Sequence, residues 1–289
     1  MKLKFLTNID PRVVYLFVAL ALALPMIKGV SLKPVRMEAA ESFYNTLEAL
    51  PSNSDKAVML VLDWGPGTFA ENGPQSKITM EHLFRKRIPF ILTSIYAQAS
   101  PTLQELPLEV VSELKKEMPN ENWEYGKDWI NIGFQAGGWQ SIQSLASSED
   151  FHQILKTDVR GIPIAELPMM NKIHTIKDIQ MLVQITSLVG TFNAWLQFFR
   201  TDKYKPEMLH GCTSITIPEA YLYYSSKQIL GFFEGVAGAA WYDELLNKNF
   251  PKRKEHAKGI NTGLAIAQMV ILFFIALGNI GHLLYREKK

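Results

Sequence analysis

The chain has 289 residues, of which 47% are hydrophobic and 20% are charged, and its mean hydropathy is +0.00. This composition excludes collagen-like and disordered proteins, and the single cysteine, Cys212, excludes an internal disulfide framework. The formal net charge is only +2, so the sequence carries no nucleic-acid-binding signature and we expect no nucleic-acid partner.

Residues 13–30 form the first apolar block, which is interrupted only by Pro25 and Lys28. At helical rise this block reaches about 27 Å, just enough to cross the hydrocarbon core of a bilayer. A cleavable signal peptide is the alternative, because a basic segment precedes the block and residues 21–23 (Ala-Leu-Ala) resemble a cleavage site. Cleavage there would cut through a continuing apolar run, so we predict a retained signal anchor.

Residues 260–284 form a second apolar block without any charged residue. At about 1.5 Å per residue its helix exceeds the thickness of the bilayer core, which predicts a tilted span. Three basic residues follow the block and are typical of a stop-transfer anchor: Arg286, Lys288 and Lys289. A buried core helix would not need to be apolar on every face.

Basic residues near the chain ends predict the orientation in the cell membrane. Lys2, Lys4 and Arg12 precede the first span, and the basic tail after residue 284 follows the second. The positive-inside rule therefore places both tails in the cytoplasm and residues 31–258 outside. Five basic residues that precede the second span, on the side of the domain, favour the opposite orientation: Lys248, Lys252, Arg253, Lys254 and Lys258.

Between the spans, short apolar runs alternate with amphipathic segments. Strands are predicted at residues 56–63, 89–96, 128–134, 179–186 and 210–217. Helices are predicted at residues 37–50, 78–86, 106–117, 139–146, 151–155, 191–200 and 221–246. Continuous apolar strands are typical of parallel sheets that are covered on both faces. We therefore predict one three-layer α/β domain over residues 31–258, with a mostly parallel sheet and a Rossmann-like or flavodoxin-like outline.

The segment that follows the first predicted strand is the strongest candidate for a ligand site. Asp63 at a strand end can bind a metal or a ribose hydroxyl, and Gly65, Gly67 and Thr68 lie where backbone amides approach an anion. The segment matches neither Gly-x-Gly-x-x-Gly nor a Walker loop. We favour a tight strand-to-helix turn, with a small anionic or nucleotide-like ligand as the alternative.

Catalytic, metal and cofactor motifs are not found in the sequence. His210 and Cys212 lie two residues apart on a predicted strand, where side chains stand about 6–7 Å apart, too far for a thiol–imidazole nucleophile unless the strand kinks at Gly211. The six histidines show no zinc-binding spacing, and no Gly-x-Ser-x-Gly nucleophile elbow occurs. We therefore predict no catalytic residue, no metal and no cofactor.

Small residues predict close helix packing at two places. Gly231, Gly235 and Ala239 recur at four-residue spacing in the predicted helix 221–246, where they can face the domain's own sheet or a subunit interface. In the second span, Gly278 and Gly281 form a flat patch.

The second span also contains two residues with side-chain amides. Gln268 and Asn279 can hydrogen-bond to another helix, because polar side chains within a span rarely face lipid. The first span is the expected partner, and a second copy or a different membrane subunit is the alternative.

These features favour a membrane-anchored structural or interaction component of a membrane protein assembly. Its expected partners are the lipid bilayer and either other membrane subunits or further copies of the chain. Two alternatives remain open: a membrane-bound sensor for a small anionic or nucleotide-like ligand beside Asp63, and a membrane-tethered hydrolase.

Overall fold

A computed structural model describes residues 9–286 of the chain. The chain divides into two compact units: Val35–His256, and a unit formed by the two terminal segments. The strands are β1 (Ala57–Asp63), β2 (Phe90–Ser94), β3 (Trp129–Phe134), β4 (Ile179–Thr186), β5 (Glu207–Cys212) and β6 (Gly231–Glu234). The helices are α1 (Pro11–Lys28), α2 (Glu38–Glu48), α3 (Phe69–Arg85), α4 (Ser100–Glu117), α5 (Trp139–Ser147), α6 (Phe151–Ile154), α7 (Val189–Phe198), α8 (Ile217–Ser225), α9 (Gly235–Asn249) and α10 (Lys258–Arg286).

The six strands of residues 35–256 form one parallel sheet in the order β3-β2-β1-β4-β5-β6. Helices α2, α9, α3 and α4 pack side by side on one face, and α5 and α7 cover the other. The predicted α/β fold with a parallel sheet is therefore confirmed. The strand order is that of the Rossmann fold rather than the flavodoxin fold, and it reverses between β1 and β4.

The central strands are buried because helices cover both of their faces. All seven residues of β1 and all five residues of β2 are buried. Met59 and Val61 of β1 share a core cluster with Ile142 of α5 and Trp195 of α7. This continuous apolar character is what allowed both strands to be recognised from the sequence.

The prediction of a single helix over residues 221–246 is wrong. The segment contains the end of α8, the strand β6 and most of α9. Lys227 has a φ of 58° shortly after α8, and Gly235, the first residue of α9, has a φ of 59°. Left-handed residues such as these interrupt a continuous helix, and Gly235 adopts this conformation without steric cost. Gly231, Gly235 and Ala239 therefore do not form a stripe on one helix.

Gly231 allows β6 to approach α2 closely. A Cβ atom at this position would lie 2.3 Å from the backbone nitrogen of Phe43 and 2.6 Å from its Cα. Ala239 is fully buried in α9. Gly231 and Ala239 thus serve packing inside the domain.

Helix α2 is capped by a side chain from β6. Its own N-cap residue, Met37, makes no side-chain hydrogen bond to the helix. Instead, the carboxylate of Glu234 accepts hydrogen bonds from the backbone nitrogens of Ala39 and Ala40, both at 3.2 Å. A negative charge at this end of a helix is stabilised by the helix dipole, so Glu234 fixes α2 against the end of the sheet.

Other predicted helix and strand boundaries also differ from those in the structure. Helices α3 and α4 begin several residues before the predicted starts at 78 and 106, and they continue through Pro74 and Pro107. The predicted fifth strand ends at Cys212 rather than 217, because residue 217 already opens α8.

Helices α1 and α10 are both long and apolar enough to cross a membrane, and little of either is buried. They contact each other within the second unit. The rings of Phe17 and Phe274 lie 5.8 Å apart. A Cβ atom at Gly263 would lie 2.9 Å from the carbonyl oxygen of Leu22, so this glycine allows the two helices to approach closely at this point.

The packing residues predicted within α10 differ in their exposure. Gln268 and Asn279 are exposed, and no described atom lies within 4 Å of a Cβ atom built on Gly278. Gly281 is buried. The predicted tail residues Lys2, Lys4, Lys288 and Lys289 lie outside the described residues.

Candidate functional site

Asp63 ends β1 at the carboxyl edge of the sheet, where the strand order reverses. Its side chain is fully buried. Oδ1 accepts hydrogen bonds from the hydroxyl of Ser94 at 2.7 Å and the backbone nitrogen of Ile95 at 2.9 Å. Oδ2 accepts from the amide of Gln184 and the indole nitrogen of Trp195, both at 2.9 Å. The carboxylate therefore ties β2, β4 and α7 to the end of β1.

The electrostatic balance at Asp63 reflects both its burial and these four donors. Burial raises the pKa of the carboxyl group, and the hydrogen bonds act in the opposite direction. Two donors on each oxygen use the lone pairs of the carboxylate. In this arrangement Asp63 is directed at the protein interior and offers no oxygen to a ligand or metal.

The rest of the predicted ligand segment forms the turn from β1 into α3. The backbone nitrogen of Thr68 donates to the carbonyl of Gly65 at 3.1 Å, within a short 3-10 turn. A Cβ atom at Gly65 would lie 2.9 Å from Oε1 of Gln98, whereas no described atom lies within 4 Å of one at Gly67. Gly67 is exposed and Thr68 is half-buried. This geometry is that of a tight strand-to-helix connection.

His210 and Cys212 bind separate backbone groups. Nδ1 of His210 donates to the carbonyl of Gln184 at 3.2 Å, and Sγ of Cys212 lies 3.2 Å from the carbonyl oxygen of Phe233. Burial lowers the pKa of His210 to about 3 and raises the pKa of Cys212 to about 12. At neutral pH the imidazole and the thiol are therefore both uncharged, and the thiol lacks the thiolate character of a nucleophile.

Large apolar side chains are exposed at the same edge of the sheet. Each of them lies at the end of a strand, in the turn that follows or at the start of the next helix. Phe134 ends β3, Ile215 lies in the turn after β5, and three residues open helices: Phe69 (α3), Trp139 (α5) and Val189 (α7). Ile215 is 89% exposed. Because the carboxyl ends of parallel strands meet at one edge, these five residues share that edge, and we call them the carboxyl-edge patch.

A buried ion-pair cluster joins α3 to the segment that follows α9. The guanidinium of Arg253 donates to Glu81 at 2.8 Å and to Asp243 at 2.6 Å. Arg85 donates to the same Glu81 at 2.8 Å and to Glu117 of α4 at 2.5 Å. A cleft of about 290 Å³ lies beside the cluster, lined by Glu81, Arg85, Val110, Glu113, Leu114, Lys116, Glu117, Lys252, Lys254 and His256.

Ion pairing within this cluster keeps its buried groups charged. Burial alone would raise the pKa of Glu81, but the hydrogen bonds and charges of Arg253 and His256 outweigh it and hold the pKa well below its usual 4.5. The same cluster raises the pKa of Arg253 above its ordinary value, in spite of burial. The paired groups therefore stay ionised and fix residues 250–256 to the domain.

Neither the carboxyl-edge patch nor the buried ion-pair cluster was evident from the sequence. The residues of the carboxyl-edge patch are spread over 147 positions of the chain, and only the strand order brings them to one edge of the sheet.

No protein-family model matches the chain, and no curated protein matches its sequence. The fold and the geometry described above are therefore the observations from which a function is inferred.

Proposed function

We propose that the protein is a membrane-anchored interaction component of a membrane protein assembly, and that the carboxyl-edge patch binds a protein partner. Residues 35–256 form the displayed domain, and α1 and α10 anchor it in the cell membrane. The single observation that carries this proposal is the exposure of large apolar side chains at the ends of four strands. Exposed apolar surface of this kind is typical of protein–protein contacts.

The aromatic members of the patch have the properties of interface anchors. Phe69 and Trp139 are 48% and 46% exposed, so each keeps about half of its surface for a partner. Their buried halves rest on fixed neighbours: the ring of Trp139 lies 5.0 Å from that of Phe198, and the ring of Phe69 lies 6.0 Å from that of Trp64. Aromatic side chains held in this way lose little conformational entropy when they are buried in an interface.

The alternative of a sensor for a small ligand has less support. It needs an accessible acid at the end of β1, and both oxygens of Asp63 are directed at internal donors. A thermal-shift screen with nucleotides and inorganic phosphate tests this alternative, because stabilisation that is lost in Thr68→Val would favour a ligand over a protein partner.

The proposed orientation places the domain outside the cell. Two of the basic residues that favour a cytoplasmic domain are paired within it, Arg253 with Glu81 and Asp243 and Lys254 with Glu113. Such paired residues contribute less free positive charge to the flank of α10.

Site-directed photo-crosslinking of the full chain in native membranes tests the partner. A photo-reactive residue at Ile215 is expected to form a defined adduct, whereas the same residue at Leu108, an exposed apolar position of α4 (50%), serves as the matched control. Ile215→Ser combined with Trp139→Ser is expected to release the co-purifying protein. The proposal is wrong if position 215 gives no adduct, or if positions 215 and 108 give the same adducts.

Labelling with a membrane-impermeant thiol reagent tests the orientation. Ser52→Cys places a thiol at an exposed position, whereas the native Cys212 is buried and reports the background. Labelling of the Ser52→Cys variant in intact cells is expected. Labelling that occurs only after lysis would show that the domain is cytoplasmic.

A further inference from the structure

Three side chains with metal-binding atoms meet at the amino edge of the sheet, opposite the carboxyl-edge patch. Asp150 and His152 lie at the start of α6, and His174 lies in the segment that precedes β4. One ligand atom of each lies within 4.8 Å of the others. Nδ1 of His152 is 2.7 Å and Nδ1 of His174 is 3.4 Å from the same oxygen, Oδ1 of Asp150.

Backbone hydrogen bonds hold the two segments in place. The backbone nitrogen of Phe151 donates to the carbonyl of His174 at 2.6 Å, which joins α6 directly to the second segment. The carboxylate of Asp178 accepts from the backbone nitrogen of His174 at 2.9 Å. Asp150 itself caps α6 by accepting from the backbone nitrogen of His152 at 3.0 Å. The three side chains are therefore positioned by the fold.

A hydrogen bond at Nε2, the ring nitrogen of His174 that does not face Asp150, fixes the tautomer of the imidazole. Nε2 lies 3.2 Å from the backbone carbonyl of Asn171, and a carbonyl only accepts, so Nε2 carries the proton. In the neutral ring Nδ1 is then a bare lone pair, and it faces the carboxylate oxygen of Asp150. Two electron-rich atoms in this arrangement are stabilised by a positive charge between them. Donation of the second ring N–H to a backbone carbonyl is also typical of metal-ligating histidines.

We propose that Asp150, His152 and His174 bind a divalent transition-metal ion, with zinc as the best match. Two imidazole nitrogens and one carboxylate oxygen suit zinc, whereas magnesium and calcium prefer oxygen ligands throughout. Tetrahedral zinc places its ligand atoms about 3.3 Å apart. The two distances to Asp150 bracket this value, and the ligand atoms of the two histidines, within 4.8 Å of each other, would move closer together when the ion binds. The side chains are 34%, 18% and 49% exposed, so water can reach the remaining position.

The carboxylate and the histidines contribute in different ways. Asp150 is the shared member, since the side chains of both histidines approach its Oδ1. Binding of the metal ion to Nδ1 of His152 would replace the proton on that nitrogen. A neutral ring would then carry its proton on Nε2, and a protonated ring would release one proton to water. Nδ1 and Oδ1 of Asp150 would separate by roughly half an ångström, a movement within the reach of side-chain rotation. This inference is independent of the proposed function, because the metal-binding residues and the carboxyl-edge patch lie at opposite edges of the sheet.

Titration of the full chain in detergent, after treatment with a chelator, tests the site. One zinc ion per chain is expected to bind and to raise the melting temperature, and cobalt is expected to give the visible absorption of a tetrahedral site. Asp150→Asn and His174→Ala are expected to weaken binding at least about tenfold. Asparagine still caps a helix, so Asp150→Asn is expected to preserve the fold.

Glu149→Gln is the matched control, because it removes the same charge one position earlier in the chain. It is expected to leave zinc binding unchanged. The proposal is overturned if the native protein binds no zinc, which would mean that the histidines only form ion pairs with Asp150. It is also overturned if Asp150→Asn and His174→Ala bind zinc as tightly as the native protein does.

Discussion

Replacing Asp63 by asparagine is the sharpest test of the carboxyl edge. The substitution keeps the shape of the side chain but exchanges one oxygen for an NH₂ group. Each carboxylate oxygen accepts from one adaptable donor and one fixed donor: Ser94 and the backbone of Ile95 on Oδ1, and Gln184 and the indole of Trp195 on Oδ2. Whichever way the new amide turns, its NH₂ group faces a fixed N–H donor.

The size of the effect follows from these contacts. A hydrogen bond to a charged acceptor contributes about 1.5–3 kcal/mol, and a buried donor without a partner costs about 1–3 kcal/mol. Removing the charge also relieves the desolvation that raises the pKa of Asp63, which offsets part of the loss. We expect the free energy of unfolding to fall by about 2–4 kcal/mol. For a domain of this size the melting temperature would then fall by about 5–15 °C.

Thermal and denaturant unfolding of the full chain in detergent, followed by tryptophan fluorescence, measures this change. Asp202→Asn removes a carboxylate from an exposed loop and is expected to change the stability by less than about 0.5 kcal/mol. Trp195→Phe removes the fixed donor on Oδ2, so Asp63→Asn should cost less in that background than in the native protein. Additive losses, or an Asp63→Asn variant as stable as Asp202→Asn, would refute the reasoning.

Two further substitutions and one pH profile test the packing and the ion-pair cluster. Gly231→Ala should lower the free energy of unfolding by more than about 2 kcal/mol, because its Cβ would collide with the backbone of Phe43, whereas Gly67→Ala should change the melting temperature little. Glu81→Gln should cost about 3 kcal/mol by leaving Arg253 short of a partner, as measured by denaturant unfolding. The folded pKa of Glu81 is held below its usual 4.5, so its contribution is complete above about pH 5 and is lost as the pH falls below 4.5. Unfolding of Glu81→Gln between about pH 3 and 7 should therefore lack this part of the acid dependence, and an unchanged profile would contradict the assignment.

Much of the fold could be predicted, because the strands of a covered parallel sheet are continuous apolar runs. The strands β1 and β2 were recognised on this basis, and both are entirely buried. The strand β6 was not recognised, because its four residues are too few to show a period and its extended form depends on pairing with β5. Helix α3 was predicted too short because Pro74 lies before the predicted start, and helix α4 because residues 100–105 contain only one large apolar residue, Leu103.

The candidate sites were less predictable than the fold. The position of Asp63 at a strand end follows from the sequence, but the donors that surround it do not. Ser94, Gln184 and Trp195 lie 31, 121 and 132 positions away along the chain. The metal-binding residues show the same difficulty, since Asp150 and His174 are 24 positions apart and no spacing rule connects them.

The hydrogen bonds of Asp63 also have a consequence for the order in which the molecule folds. They join chain segments that are far apart in sequence, and closing loops of this length costs entropy before any contact is gained. The four bonds can be complete only after both halves of the sheet have met at β1. Interactions that form after the folding barrier slow unfolding and leave the folding rate almost unchanged. We therefore expect Asp63 to act mainly on the lifetime of the folded domain, so that Asp63→Asn speeds unfolding more than it slows folding.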